Sequence, residues 1–267
     1  MTAPASTRQL RAWADQNLAA GFELLVRHPP RGAHAARRRF GAATAFATGR
    51  RAAFFNPIVI LEPVASADLA AAASWMRELG TPFTLRVRDD VADATLAAAA
   101  ASLGLVRDPW PDPAMVMAPL RRPPPLPPGL AIEVTTRDTV ERFHAANASA
   151  FDFPPAALGA VRDLTPADMV ADPDVRLFSG FVGGEPVACS IAIRSGDVAG
   201  VYAVGTAERF RRRGFGSAMT WAAVAAGLEW GCRAGTLQAS EMGEPVYRAM
   251  GFATVARYLT YGEPAAA

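Results

Sequence analysis

Beyond residue 129 the chain alternates short apolar runs with turn-forming residues, a pattern that predicts strands and helices in regular succession. Residues 130–135 read as a strand and 139–151 as a helix; a proline-interrupted stretch follows, with a second helix near 166–170. Strands then dominate. Residues 175–182 and 186–194 flank Gly183-Gly184, a hairpin signal, and 200–206 form the next apolar strand after Ser195-Gly196-Asp197. A helix over 216–230 sets Met219, Ala222, Ala223 and Ala226 on one face. A short strand at 236–239 comes next, then a helix over 244–250 that stops at Gly251, and a closing strand at 254–261.

The first half ends in a similar way, as strand 53–61, helix 67–79, strand 83–87, helix 93–103 and strand 114–120. In both halves a helix runs into an apolar-Gly-apolar step, Leu103-Gly104-Leu105 and Met250-Gly251-Phe252, before the last strand. Such self-similarity points to a duplicated α/β unit. Between the copies lies Arg121-Arg122-Pro123-Pro124-Pro125-Leu126-Pro127-Pro128-Gly129. Prolines fix φ and remove donors, so this run predicts a stiff connector, 121–129, between one domain at 1–120 and another at 130–267. A proline-rich recognition peptide is the competing reading.

Composition narrows the function classes. A length of 267 residues suits two compact units, and 51% apolar with 19% charged residues suits a globular chain rather than a disordered one. Every basic residue is Arg, and Ala and Pro abound, which fits the coding bias of a GC-rich bacterial genome. Arginine runs such as Arg37-Arg38-Arg39 therefore read as solvated faces. A net charge of +2 lacks the concentrated positive field of a nucleic-acid binder. Cys189 and Cys232 stand apart, and His28, His34 and His144 have no metal-ligand spacing, so neither a disulfide framework nor a metal site is expected. The most apolar run, 95–106, is shorter than the roughly 20 residues of a membrane span. Residues 1–15 lack a basic start followed by an apolar stretch, so a cytoplasmic protein with no membrane partner is expected.

Candidate chemistry concentrates at Val204-Gly205-Thr206, Arg211-Arg212-Arg213-Gly214-Phe215-Gly216-Ser217 and the helix start that follows. Gly214 and Gly216 let backbone approach a ligand closely, and a helix N-terminus presents unpaired N–H groups to an anion. The dipole contributes about 0.3–2 kcal/mol and a hydrogen bond to a charged group about 1.5–3 kcal/mol, together suited to a pyrophosphate. Taken alone, R-x-x-G-x-G is weak in a chain rich in Arg, Gly and Ala, and its plain reading is a solvated basic helix start. Neither G-x-x-x-x-G-K-[ST] nor a post-strand G-x-G-x-x-G is present.

Downstream, Ser240-Glu241-Met242-Gly243 precedes a helix carrying Tyr247 ahead of Gly251-Phe252. Strand, R-x-x-G-x-G turn, helix, strand and a Tyr-bearing helix in this order resemble the GNAT superfamily of N-acetyltransferases, over roughly residues 130–261. The resemblance implies an α/β (α+β) fold of tandem GNAT-like mixed sheets flanked by helices, with splayed central strands in the C-terminal unit. It implies acetyl-CoA as the cofactor. Val204, Gly205 and Thr206 would then pair through backbone groups with the pantetheine arm and acetyl carbonyl, as a short added strand would. Residues Arg211, Arg212, Arg213, Gly214, Phe215, Gly216 and Ser217 would wrap the pyrophosphate. Tyr247 matches the family's general acid for the departing thiolate, with a packed core tyrosine as the plain alternative. Ser240 stands where many relatives have an Asn on the cofactor arm, and a turn serine is its plain reading.

The base is a gap in this reading. Gly200 and Gly235 occupy strand positions where some relatives carry a carboxylate, which leaves Asp152, His144 and Glu241 as candidates, or a water chain. The first half has Glu62-Pro63-Val64-Ala65-Ser66 and Asp68 where the Arg-Gly turn would stand, and an acidic helix start repels pyrophosphate. It reads as a degenerate GNAT-like domain without the cofactor loop. The expectation is a monomeric or homodimeric N-acetyltransferase acting on a small-molecule amine, with a protein N-acetyltransferase or a non-catalytic acyl-CoA-binding module as alternatives.

Overall fold

A computed structural model describes residues 5–264; the outermost residues of the expected leaderless start, 1–4, lie outside that range. In the first half, α1 (Thr7–Arg27) is followed by β1 (Ala36–Phe40), β2 (Ala43–Ala47), β3 (Pro57–Ile60), α2 (Ser66–Glu78), β4 (Thr84–Arg88), α3 (Ala94–Ser102), β5 (Val106–Arg107) and β6 (Asp112–Met117). The second half runs β7 (Leu130–Val134), α4 (Val140–Ala150), α5 (Leu158–Leu164), β8 (Val175–Val182), β9 (Glu185–Ser195), β10 (Val198–Thr206), α6 (Phe215–Glu229), β11 (Ala234–Gln238), α7 (Glu244–Met250) and β12 (Ala253–Gly262). Among the described residues no helix is long and apolar enough to cross a membrane.

The strands form one mixed sheet, ordered β1-β2-β3-β4-β12-β6-β11-β10-β9-β8-β7, with β5 beside the end of β12. That order carries an exchange. The last strand of the first half, β6, lies against β11 of the second, while the last strand of the second half, β12, lies against β4 of the first. The two exchanged strands pair with each other between them. Succession β3-α2-β4-α3-β6 thus repeats as β10-α6-β11-α7-β12, and each copy's sheet is completed by the other.

Alternation along the strands assigns the two faces. Met115 and Met117 of β6 and Leu237 of β11 join Phe215, Met219 and Ala223 of α6 in one core cluster. Ala114 and Val116 of β6 and Tyr258 of β12 instead join Trp13, Leu18 and Phe22 of α1. Helix α1 belongs to the first half in sequence, yet its side chains reach β9 and β10 of the second. Buried Arg50 fastens the same seam, donating to the carbonyls of Leu25, His28 and Leu164 at 2.9–3.1 Å; burial lowers its guanidinium to about 10.

Several expectations are corrected here. Residues 53–61 are not one strand: Ala53–Phe55 is a 3-10 turn, and the strand is the shorter Pro57–Ile60. The segment near 166–170 is a 3-10 helix, Ala167–Ala171, preceded by the unanticipated α5. Helix α1 and the hairpin β1-β2 were outside the pattern reading. Arg37, Arg38 and Arg39 lie on the edge strand β1, where all but the first are exposed.

Candidate active site

Strands β10 and β11 run parallel and pair at only three positions, Val198↔Ala234, Ala199↔Gly235 and Gly200↔Thr236. Beyond them β11 remains with β6, through Leu237↔Met115 and Gln238↔Ala114. Strand β10 stays with β9 instead, interrupted by a bulge between Tyr202 and Gly205 in which Ala203 adopts φ +49°. Positive φ at a residue with a side chain is strained and persists only where its surroundings hold it. The edge of β10 from Tyr202 to Thr206 therefore faces a gap with unpaired backbone groups. The corresponding strands of the first half leave no such gap: β3 and β4 pair from Pro57↔Thr84 through Ile60↔Val87.

A cationic turn closes one end of the gap. Arg211, Arg212 and Arg213 are exposed, and Arg211 Nε donates to the Thr206 carbonyl at 3.1 Å, tying the turn to the strand. Arg212 and Gly214 take positive φ, +62° and +81°. Gly214 caps α6, whose first turn contains no acidic residue, whereas α2 of the first half carries Asp68 there. Phe215 is buried and stacks on Phe210 at 6.4 Å, anchoring the helix start while the N–H groups of Gly216 and Ser217 precede any helical acceptor. Thr206 Oγ1 is buried without a hydrogen-bond partner. It lies 3.5 Å from where a Cβ on Gly216 would be, so the turn holds an orphaned donor within a glycine-lined recess. These residues fit a pyrophosphate.

Helix α7 stands beside this turn. Ser240 is exposed and caps it, its Oγ accepting from Gly243 N at 3.2 Å and its carbonyl from Glu244 N at 3.0 Å. Tyr247 is half-buried, meets Phe252 edge-on at 6.2 Å, and packs with Val204 against the core cluster under α6. Burial raises its phenol above the ordinary tyrosine range, with the Thr220 hydroxyl pulling the other way. It therefore keeps its proton at neutral pH, as a proton donor must. Gly243 makes room for the ring, since a Cβ there would come within 2.9 Å of it.

The base candidates separate. His144 is buried, with Nε2 against the Thr165 carbonyl at 2.9 Å and Nδ1 near Glu141, a structural placement in α4. Asp152 and Glu241 are exposed. Asp152 follows Phe151, whose ring would lie 2.9 Å from a Cβ on Gly205, so of the three it sits closest in sequence to the gap's lining. No side chain could stand at Gly200, because its Cβ would overlap Asn17 Oδ1 of α1, and one at Gly235 would press on Leu120 at 3.0 Å.

Three further residues escaped the sequence reading. Leu237 and Ala239 point toward α6, so Thr236 and Gln238 point to the opposite face. Thr236 Oγ1, Gln238 Nε2 and Asn147 Oδ1 of α4 are all buried without partners. Strand alternation alone signalled the first two, and nothing local signalled Asn147.

Parted parallel strands beside a cationic, glycine-opened helix start define an acetyltransferase fold. Residues 129–237 match the family model described as the acetyltransferase (GNAT) domain, and the second half accordingly carries a GNAT acetyltransferase domain. No curated protein matches the sequence. Among solved structures, the fold is similar to a GCN5-related N-acetyltransferase from Kribbella flavida, with TM-score 0.69 and 20% identity over 95% of this chain and 96% of that one. It is also similar to a tandem GNAT protein from the clavulanic acid biosynthesis pathway, with TM-score 0.59 and 14% identity over 97% and 96% of the two chains. A GCN5-related N-acetyltransferase from Sphaerobacter thermophilus gives TM-score 0.60 and 18% identity over 82% and 76%. These likenesses bear on the fold of both halves, including the degenerate first one.

Proposed function

We propose that the chain transfers an acetyl group from acetyl-CoA to a primary amine, probed most simply as a small molecule, within a ternary complex assembled at the β10-β11 gap. The observation that carries this reading is the gap itself: unpaired backbone of Val204, Gly205 and Thr206 opposite a diverging strand, with the cationic turn at its end. An extended amide-bearing arm satisfies such an edge as an added strand does. Arg211, Arg212, Arg213 and the backbone from Gly214 to Ser217 would hold the pyrophosphate, and Ser240 would border the arm. When bound, the cofactor supplies an activated acyl thioester. Tyr247 would donate its proton to the sulfur as the carbon–sulfur bond breaks and the amine nitrogen bonds the acyl carbon.

The proton lost by the amine would pass to water, since α1 fills the place of a carboxylate at Gly200. The same helix covers the sheet face below the gap, which supports approach of a compact acceptor from above it, past Thr236, Gln238 and Asn147. In this reading residues 130–267 are the catalytic domain, 121–129 the connector, and 1–120 a partner domain without cofactor binding, supported by its fully paired β3 and β4. Strand exchange within one chain supports a monomer. Two buried free cysteines accord with a reducing cytoplasm.

A non-catalytic acyl-CoA-binding module is favoured by one observation, the absence of a carboxylate at Gly200. A screen of amines followed by release of free CoA thiol tests the choice. Amine-dependent release supports the transferase; thiol release that no amine accelerates, with CoA bound, supports the module.

A further inference from the structure

The connector does more than join the halves. Leu120 wedges between Gly227 and Gly235, within 3.1 Å of where their Cβ atoms would be, and the Arg121 guanidinium lies against Gly251. From there the chain returns along α6 toward its start, where Pro127 would come within 3.5 Å of a Cβ on Gly214. Between connector and helix a cleft remains, lined by Pro124, Pro125 and Pro127 on one side and by Gly214, Ser217 and Trp221 on the other. Proline fixes the backbone angle, so the connector does not collapse onto the helix, and Leu126 stays 51% exposed rather than filling the space.

We infer that this cleft is the seat of the adenine ring of coenzyme A, with the connector as its outer wall, a deepening that rests on the transferase reading above. A flat ring suits a narrow apolar slot between an indole and proline rings, since aromatic faces stack and preformed walls need no ordering on binding. Continuity fixes the occupant: Gly214 belongs both to the cleft and to the turn that fits the pyrophosphate, and a nucleotide ring is attached to that pyrophosphate through one ribose. Exposed Arg122, Arg212 and Arg213 flank the slot's neighbourhood with the charge that the ribose 3′-phosphate requires.

Calorimetric titration of the full chain with CoA, 4′-phosphopantetheine and adenosine 3′,5′-bisphosphate tests this. Wild type is expected to bind CoA at least about tenfold more tightly than 4′-phosphopantetheine, the scale of one stacked base. Trp221→Ala should remove most of that preference while leaving 4′-phosphopantetheine affinity unchanged. Because Trp221 also touches the core, the double variant Pro124→Gly/Pro125→Gly serves as a second arm, expected to weaken CoA and adenosine 3′,5′-bisphosphate but not 4′-phosphopantetheine. Unchanged CoA affinity in the proline variant, or equal losses for CoA and 4′-phosphopantetheine, overturns the inference. Wild type that binds CoA and 4′-phosphopantetheine equally overturns it alone; wild type that binds neither overturns the transferase reading with it.

Discussion

Asn17 of α1 and Gly200 of β10 occupy adjoining space so closely that a Cβ on the glycine would overlap the Asn17 amide oxygen. That oxygen accepts a hydrogen bond from the Tyr202 hydroxyl at 2.7 Å, while Asn17 Nδ2 donates to the Ile193 carbonyl at 3.1 Å and Ser195 Oγ at 2.9 Å. A helix of the first half is thereby keyed into the strand that borders the gap in the second. Gly200→Ala is expected to cost about 1–3 kcal/mol, the usual penalty of overpacking. In an Asn17→Ala background the same change should cost less, because the blocking oxygen is gone; equal costs in denaturant titrations would show the two sites to be uncoupled.

Tyr247→Phe should slow amine-dependent thiol release by about 10²–10⁴-fold, the range of positioned proton transfer. CoA affinity should stay unchanged, since the ring's packing against Phe252 survives. Burial raises the phenol's pKa, so the proton is present throughout the neutral range and the tyrosine imposes no loss of rate until strongly alkaline pH. A wild-type rate that falls near pH 8 through this residue, or a Phe variant of full activity, would remove Tyr247 from the chemistry.

Alkaline pH should destabilise the fold. Tyr202, Tyr247 and Tyr258 are all raised by burial, and burial takes the Cys189 thiol up to about 12. Each favours its neutral form in the folded chain, so the stability it confers is complete below the unfolded pKa and is lost as pH rises through the folded one. Unfolding midpoints should therefore hold below about pH 8.5 and fall above about 10, where unfolded cysteine and tyrosine ionise. Cys189 should resist alkylation at pH 8 in the folded protein and react once it unfolds; rapid native labelling would contradict its burial.

Much of the second half was legible because glycines punctuate it. The helix expected at 244–250 is Glu244–Met250, ended by Gly251 at φ +104°, and Gly183-Gly184 form the expected hairpin turn at φ +58° and +85°. Helix α1 was not, since fully buried Asn17 and Ala14 dilute its apolar stripe. Edge strand β1, Ala-Arg-Arg-Arg-Phe, shows no alternation because it has little to bury. The exchange of β6 and β12 had no local signature: a strand's pattern says which face is buried and not which neighbour it meets. Gly200 was legible as a missing carboxylate, while its cause lies in a helix more than 170 residues upstream in the chain.

That exchange makes the halves interdependent. A chain ending after Gly251 would lose β12, which pairs with β4, β5 and β6, and with it Tyr258 and Tyr261 from two separate cores. It should fail to fold, and residues 1–120 alone should show no cooperative melting transition. Independent, cooperative melting of that fragment would mean that the first half completes its own sheet.

Amide hydrogen exchange with and without acetyl-CoA tests the central claim most directly, because it reads the backbone groups that the gap leaves unpaired. Protection is expected at residues 204–206 and 213–217, with no change at 61–69 in the corresponding turn of the first half. Protection at 61–69, or none around Thr206 and Gly214 under saturating cofactor, would contradict it.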